Sequence, residues 1–407
     1  MSIRWITQNL GTGSALQIRK EENMSIIDVR DLVDKEGNCF ETVRQKLIEG
    51  CDSLRTGNKT VVCCDYGISR SNAVAVGILV MYESISFEKA VRRVLKATGE
   101  KEIKVGPLQA VHRALNLKKK YKQKLKQHVL VTGGNGLIGV PVSKKLAEEF
   151  EIFAPNRSVL DLHCGSTQLD LWVLENDVDC IVHLASPRIY TSNSAMGDTL
   201  TMLRNVLDVC IAHNIKLIYL SSWEVYSGYR SSFLLADESL PLLPRGPYAE
   251  TKFLSEMLIE HFRKTLGLRC TMLRSCPVYG IDSDKPKFIY NFIDKIKHSE
   301  PIFTHRYKNG SPALDLLYID DLVAAVVKAV SNSFEGNLNI GTGILTSTPN
   351  IAKILLKIIG GKSVIDFTNI DSEMACIAMD SSKAHEILGW ESNIDLEEGL
   401  KYIISEY

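Results

Sequence analysis

The chain has 407 residues, too many for one ordinary core, so two or three domains are expected. Apolar residues make up 45% and charged residues 24%, and 48 basic residues balance 48 acidic ones. That soluble, neutral composition excludes a global affinity for nucleic acid or an anionic membrane. No apolar stretch reaches membrane-span length, and the N-terminus MSIRWITQNL lacks the apolar core of a signal peptide. The ten cysteines are scattered, with one adjacent pair and no CxxC. This argues against a disulfide framework or a zinc site and points to a reducing cytoplasm.

In chain order, the first stretch predicts a strand at 25–29, a helix at 40–54, a strand at 60–64 and a helix at 72–83. Helices at 86–97 and about 104–117 follow. The lysine-rich run NLKKKYKQKLKQ then holds six lysines and no acid. It reads as a solvated helix end and linker at 118–127, dividing the chain into 1–117 and 128–407. Beyond it, VLVTG, EIFAP, CIVHLAS, KLIYLSS and CTMLRS read as strands alternating with amphipathic helices. Such alternation predicts a parallel sheet covered on both faces, a doubly wound α/β fold.

In the first unit, Cys64 is followed by Asp65-Tyr66-Gly67-Ile68-Ser69 and then Arg70 and Ser71. A loop at a helix N-terminus offers free N–H groups and the positive end of the helix dipole, which suit an anion and a thiolate. Arg70 can grip two phosphate oxygens with its planar fork. Ser71 can hydrogen-bond the sulfur. This pattern resembles the dual-specificity and tyrosine phosphatase family, over roughly residues 1–117. The resemblance implies that Cys64 attacks phosphorus and that an upstream aspartate, Asp31 or Asp34, protonates the leaving group. Asp31, just past the predicted strand, is the first choice. Two departures stand out. Cys63 occupies the place where the family usually has histidine, and Asp65 adds a negative charge beside the anion site. A domain that only binds phosphate is the alternative.

In the second unit, VTGGNGLIG places Gly133, Gly136 and Gly139 between a strand and a helix, with Leu137 and Ile138 inside the turn. Such glycines permit a tight turn and close approach of a pyrophosphate to a helix N-terminus. No acid stands at the end of the second strand. Arg157 there suits a 2′-phosphate, which points to NADP, with NAD left open. Farther on, Ser222 ends a strand, and Tyr248 and Lys252 stand at i and i+4 on a predicted helix. A tyrosine beside an ammonium loses its proton more easily, which suits general acid–base work.

This part, about residues 128–407, is similar to extended short-chain dehydrogenases/reductases of the NAD-dependent epimerase/dehydratase group. Further landmarks are HLAS (His183–Ser186), LRSCPVYG, YIDDL, NIGTG and LGW. The resemblance implies Tyr248 as the acid/base, Lys252 on the ribose and Ser222 on the reacting oxygen. It places Leu184, Ala185 and Ser186 by the cofactor and the pair Asp161-Leu162 by the adenine. It also implies a smaller C-terminal substrate-binding part and a possible homodimer. Ser186, Arg188, Glu224 and Tyr226 are the substrate-side candidates. Trp223 replaces the aspartate that expels water in dehydratases of the group, so a ketoreductase or epimerase is expected before a dehydratase. Leu314 replaces an arginine that often meets a nucleotide phosphate.

The expected protein is a bifunctional cytoplasmic enzyme with no metal. It joins a cysteine phosphatase to an NAD(P)-dependent oxidoreductase or epimerase acting on a phosphorylated sugar or sugar nucleotide in one pathway. The alternative is a nicotinamide-bound, reductase-like scaffold or sensor that regulates a protein phosphatase.

Overall fold

The computed structural model describes residues 3–18, 24–35, 37–115, 126–187, 192–281 and 287–406. They form two compact units. One comprises Met1–Leu125, Arg157–Val178 and Thr201–Ile215; the other comprises Lys126–Asn156, Asp179–Leu200 and Lys216–Tyr407. The lysine-rich segment expected at 118–127 lies outside the described residues, save Lys126 and Gln127. No described helix is long and apolar enough to cross a membrane.

The first unit begins with β1 (Arg4–Trp5), β2 (Leu10–Ser14), β3 (Met24–Asp28), α1 (Phe40–Arg55) and β4 (Lys59–Cys64). The helices α2 (Arg70–Glu83), α3 (Phe87–Thr98) and α4 (Val105–Ala114) follow. The sheet order is β1-β2-β4-β3, parallel except for β1. β4 is a β-branched run buried beyond its first residue, as a central strand requires. Helix α2 is apolar almost all round and is buried from Arg70 through Leu79, which marks it as the central helix. The amphipathic α1 turns Val43, Leu47, Cys51 and Leu54 inward against it. Ser86 caps α3 by accepting from the Lys89 N–H at 3.2 Å.

β1 and β2 precede the first element expected from the sequence, and β2 is the glycine-bearing LGTGS. Glycines weaken a strand, yet here bulk is forbidden: a Cβ on Gly11 would stand 2.7 Å from the Ile3 side chain.

After residue 125 the elements are β5 (His128–Thr132), α5 (Gly139–Leu146), β6 (Glu151–Phe153), α6 (Thr167–Asn176), β7 (Cys180–His183), α7 (Asn193–His213) and β8 (Lys216–Ser222). A 3₁₀ turn (Trp223–Tyr226), β9 (Leu234–Ala236), α8 (Pro247–Leu266), β10 (Cys270–Ser275) and β11 (Val278–Tyr279) come next. Then come α9 (Lys287–Lys297), β12 (Ile302–Arg306), β13 (Ala313–Asp315), β14 (Leu317–Tyr318), α10 (Ile319–Ser331), β15 (Gly336–Ile340) and β16 (Leu345–Ser347). The chain ends with α11 (Thr348–Ile359), β17 (Ile365–Asn369), β18 (Ile377–Met379), α12 (Ser382–Leu388) and α13 (Leu396–Glu406).

The second unit is built on a six-stranded sheet in the order β15-β10-β8-β7-β5-β6, with every neighbouring pair parallel. The chain runs from β5 outward to β6, then returns past β5 to β7. That reversal is the topological switch point beside which ligands bind in open α/β sheets. Val129, Val131, Val182, Ile218, Leu273 and Leu338 form the middle of its core. Four two-stranded pairings (β9 with β18, β11 with β14, β12 with β17 and β13 with β16) make up the smaller C-terminal elaboration.

Helix α6 and the end of α7 group with the first unit. Leu171 joins that unit's core. Thr167 Oγ1 accepts from the Ile103 N–H at 2.8 Å and donates to the Ile103 carbonyl at 2.9 Å.

Candidate active site

Cys64 is the last residue of β4, and the loop 65–69 carries the chain directly into α2. Gly67 has φ +71°, and a Cβ there would stand 2.6 Å from Ser14 N, so only glycine fits. Ser14 Oγ donates to the Asp65 carbonyl at 2.6 Å, and the Arg4 guanidinium donates to the Gly67 carbonyl. The turn therefore leans on β2.

Cys64 Sγ accepts from the Gly67 N–H at 3.2 Å and lies 3.4 Å from Ser71 Oγ. Burial alone would raise the thiol. The Ser71 hydroxyl and the N–H groups of Ser71, Gly67 and Ile68 outweigh it and hold its pKa below the usual value. Its neighbour Cys63 has no such donors, and burial, reinforced by Asp28, pushes it up to about 11. Geometry thus shifts two adjacent thiols in opposite directions, Cys64 down and Cys63 up.

Arg70 is 9% exposed. Its Nη1 donates to the carbonyls of Leu32 (2.9 Å) and Arg30 (3.3 Å), and its Nη2 donates to Asp65 Oδ2 at 2.5 Å. Its Nε lies 3.6 Å from Asp34 Oδ1, beyond hydrogen-bond reach. The two upstream aspartates diverge. Asp34 is brought to Arg70 and also lies 3.5 Å from Lys104 Nζ, whereas Asp31 pairs with Lys46 at 3.3 Å.

In the second unit, β5 ends at Thr132 and the turn Gly133–Ile138 opens α5. Gly133 has φ +72°, and a Cβ there would come within 2.7 Å of Ala185 N. A Cβ on Gly139 would come within 2.7 Å of Gly134 Cα. The turn is therefore drawn down onto the end of β7, where Leu184 N–H donates to the Thr132 carbonyl at 3.1 Å. Gly136 is exposed while Leu137 and Ile138 are half-buried, and Ile138 packs on the core. A turn closed from beneath by glycines, with its outer rim open, fits a dinucleotide pyrophosphate at the α5 N-terminus.

His183 at the end of β7 meets Thr132 Oγ1 at 2.7 Å through Nδ1. Burial, with the Lys252 charge adding, holds its pKa down to about 3, so it is neutral. Ser186 is exposed, and Arg188 lies outside the described residues. In the first unit, Arg157 is exposed and paired with Asp161 at 3.3 Å, and the buried Leu162 receives a hydrogen bond from Asn205 at its carbonyl.

Ser222 closes β8, and its Oγ accepts from the Glu224 N–H at 3.2 Å, capping the 3₁₀ turn. Pro247 opens α8, so Tyr248 stands in its first turn. Lys252 Nζ donates to the Leu220 carbonyl on β8 at 2.7 Å, 4.9 Å from the Tyr219 ring centroid and 5.8 Å from that of Tyr248. This bond fastens the α8 face that carries Tyr248 and Lys252 to the C-terminal end of β8. Loss of water lowers the Lys252 ammonium to about 8 despite the Glu256 carboxylate. Glu224 is raised by desolvation, and no partner among the described residues reaches its carboxylate. Tyr226, a substrate-side candidate, is instead fully buried and receives a hydrogen bond from Arg274 at 2.6 Å.

Sequence reasoning missed Arg274 and Glu256, a buried bidentate pair with a closest approach of 2.6 Å. Ser221 Oγ donates to Glu256 at 2.5 Å. The pair sets the floor under β8, β10 and α8. Two signals for it exist: an arginine inside the apolar strand CTMLRS, and an acid four residues beyond Lys252 on the same helical face.

At the position of the missing arginine, Leu314 pairs with Thr346 across β13 and β16 and packs on the core.

The family model described as "NAD dependent epimerase/dehydratase family" matches residues 129–341. A UDP-glucuronate 4-epimerase of Thermodesulfobacterium geofontis is 29% identical over 241 residues, 56% of this chain and 72% of that protein. A dTDP-D-glucose 4,6-dehydratase of Homo sapiens is 26% identical over 330 residues, 69% of this chain and 90% of that protein. The crystal structure of UDP-glucose 4-epimerase with UDP-glucose from Thermotoga maritima aligns with a TM-score of 0.61 at 25% identity, covering 69% of this chain and 98% of that one. The glycine turn, the parallel sheet and the breadth of the match agree: the chain belongs to the NAD dependent epimerase/dehydratase family.

Proposed function

We propose that the second unit is a nicotinamide-dependent epimerase or ketoreductase of a sugar nucleotide and the first a cysteine-dependent phosphatase. The observation that carries the first half is the tether from Lys252 to the Leu220 carbonyl, which presents Tyr248 beside the end of β8. The bound nicotinamide supplies a hydride acceptor and donor. Tyr248 moves a proton to or from the sugar hydroxyl whose carbon exchanges hydride. Lys252 favours the tyrosinate and holds the ribose, and Ser222 orients the reacting oxygen. The desolvated Glu224, without a carboxylate partner among the described residues, is a second proton-transfer group. Trp223 in place of an acid disfavours dehydration.

In the first unit, Cys64 attacks phosphorus and forms a phosphocysteine while Asp34 donates its proton to the departing ester oxygen. Water then attacks the phosphocysteine, giving its proton back to Asp34, and phosphate leaves as the Cys64 thiolate is restored. Arg70 and the loop N–H groups hold the phosphoryl oxygens, and Ser71 stabilises the leaving sulfur. Asp34 takes the acid role over Asp31 because it faces Arg70, while Asp31 is engaged by Lys46. Covalent fusion suggests that both act on one small-molecule route.

A paired assay tests both halves. Tyr248→Phe is expected to slow turnover of UDP- or dTDP-sugars with NAD or NADP by at least ~10²-fold, leaving aryl phosphate hydrolysis intact. Cys64→Ser is expected to do the reverse. Equal aryl phosphate hydrolysis by Cys64→Ser and the unaltered protein would end the phosphatase reading.

A further inference from the structure

Arg70 offers two edges. Its Nη1 is spent on the carbonyls of Leu32 and Arg30, which fix the side chain. The edge left to grip two oxygens is Nε with Nη2. Nε is buried and makes no hydrogen bond among the described residues. Nη2 is held by Asp65 at 2.5 Å. Asp34 Oδ1 stands 3.6 Å from Nε without bonding it, so the gripping edge faces two carboxylates and is hydrogen-bonded by one, from its own loop.

Asp65 has no other side-chain hydrogen bond among the described residues, and its side chain is half exposed. Its backbone is pinned by Ser14. The carboxylate is thus free to swing away while the loop stays in place.

We propose, building on the phosphatase reading, that Asp65 is a specificity-determining residue: it holds Arg70 in place of phosphate and selects phosphate monoesters that carry hydroxyl groups beside the phosphate. An incoming dianion must displace the carboxylate from Nη2. The displaced carboxylate then stands beside two further negative charges, which is unfavourable unless it gains new donors. Hydroxyl groups of a sugar supply them; an aryl group supplies none. The loop therefore disfavours inorganic phosphate and aryl phosphates and tolerates polyhydroxylated monoesters.

Calorimetry on the full chain carrying Cys64→Ser measures binding without turnover. Adding Asp65→Asn, nearly isosteric, is expected to tighten inorganic phosphate and phenyl phosphate about three- to tenfold, the range expected when a half-exposed ion pair no longer competes. Glucose 6-phosphate gains less or weakens, so its preference over phenyl phosphate shrinks. Asp65→Glu keeps the charge and should keep the weak phosphate binding, which separates charge from folding damage. Unchanged or weaker phosphate binding in Asp65→Asn overturns the proposal, as does equal tightening of the two esters. These titrations need no hydrolysis, so they measure selection by Asp65 even where the Cys64→Ser assay shows that no hydrolysis depends on the thiol.

Discussion

Lys252 carries its charge where water is scarce. Its ammonium has one carbonyl partner and two aromatic rings for company, and desolvation brings its pKa from the usual 10.5 to about 8. In the proposed mechanism, raising the pH through 8 removes the positive charge assigned to favouring proton loss from Tyr248. We expect sugar-nucleotide turnover to fall along an alkaline limb with an apparent pKa near 8, and Lys252→Arg to move that limb upward, read in a pH–rate profile. Stability follows the opposite sign. Between about 8 and 10.5 the unfolded chain binds the proton and the folded one does not, so this group makes stability rise with pH. The juxtapositions of Tyr248 with Lys252 and of Cys64 with Arg70 were legible as fixed spacings in the sequence. The choice between Asp31 and Asp34 was not. Both lie in one short loop, and only the folded chain sets Asp34 beside Arg70 and Asp31 beside Lys46.

The strand–loop–helix element recurs twice, once from β4 through Cys64 into α2 and once from β5 through the glycine turn into α5. In the first, the loop presses against β2 so closely that Gly67 has no room for a side chain. Gly67→Ala is expected to cost roughly 1–3 kcal/mol in urea unfolding and to depress phosphate binding, because both its backbone region and its surroundings forbid a Cβ. Gly57 shares a positive φ but has open space around it, so Gly57→Ala should cost only the backbone strain. β5, β7, β8 and β10 were legible as largely apolar runs, since a strand buried on both faces must be apolar. β2 was not, because its glycines answer the close approach of Ile3 and Ile18 and not a strand propensity of their own. The short β9, β13 and β18 escaped for a related reason: three residues carry too little periodicity to signal a strand.

At the scale of the whole molecule, the lysine-rich run marks a boundary in composition, but compactness follows a different line. Segments 157–178 and 201–215 group with the first unit, where Leu171 enters its core and Asp170 meets His213 at 2.5 Å in a buried pair. A fragment beginning at residue 126 strips Leu171 and Thr167 of those partners. It is expected to melt several degrees below the full chain in a thermal scan and to expose apolar surface to a hydrophobic dye. The same interleaving has a consequence in time. A nascent chain emerges at about 5–20 residues per second, and the first unit lacks its last pieces until residue 215 has left the ribosome. The Cys64 loop and its supports on β2 are thus synthesised early, while the core that Leu171 enters waits until the glycine turn and three strands of the second sheet are already outside.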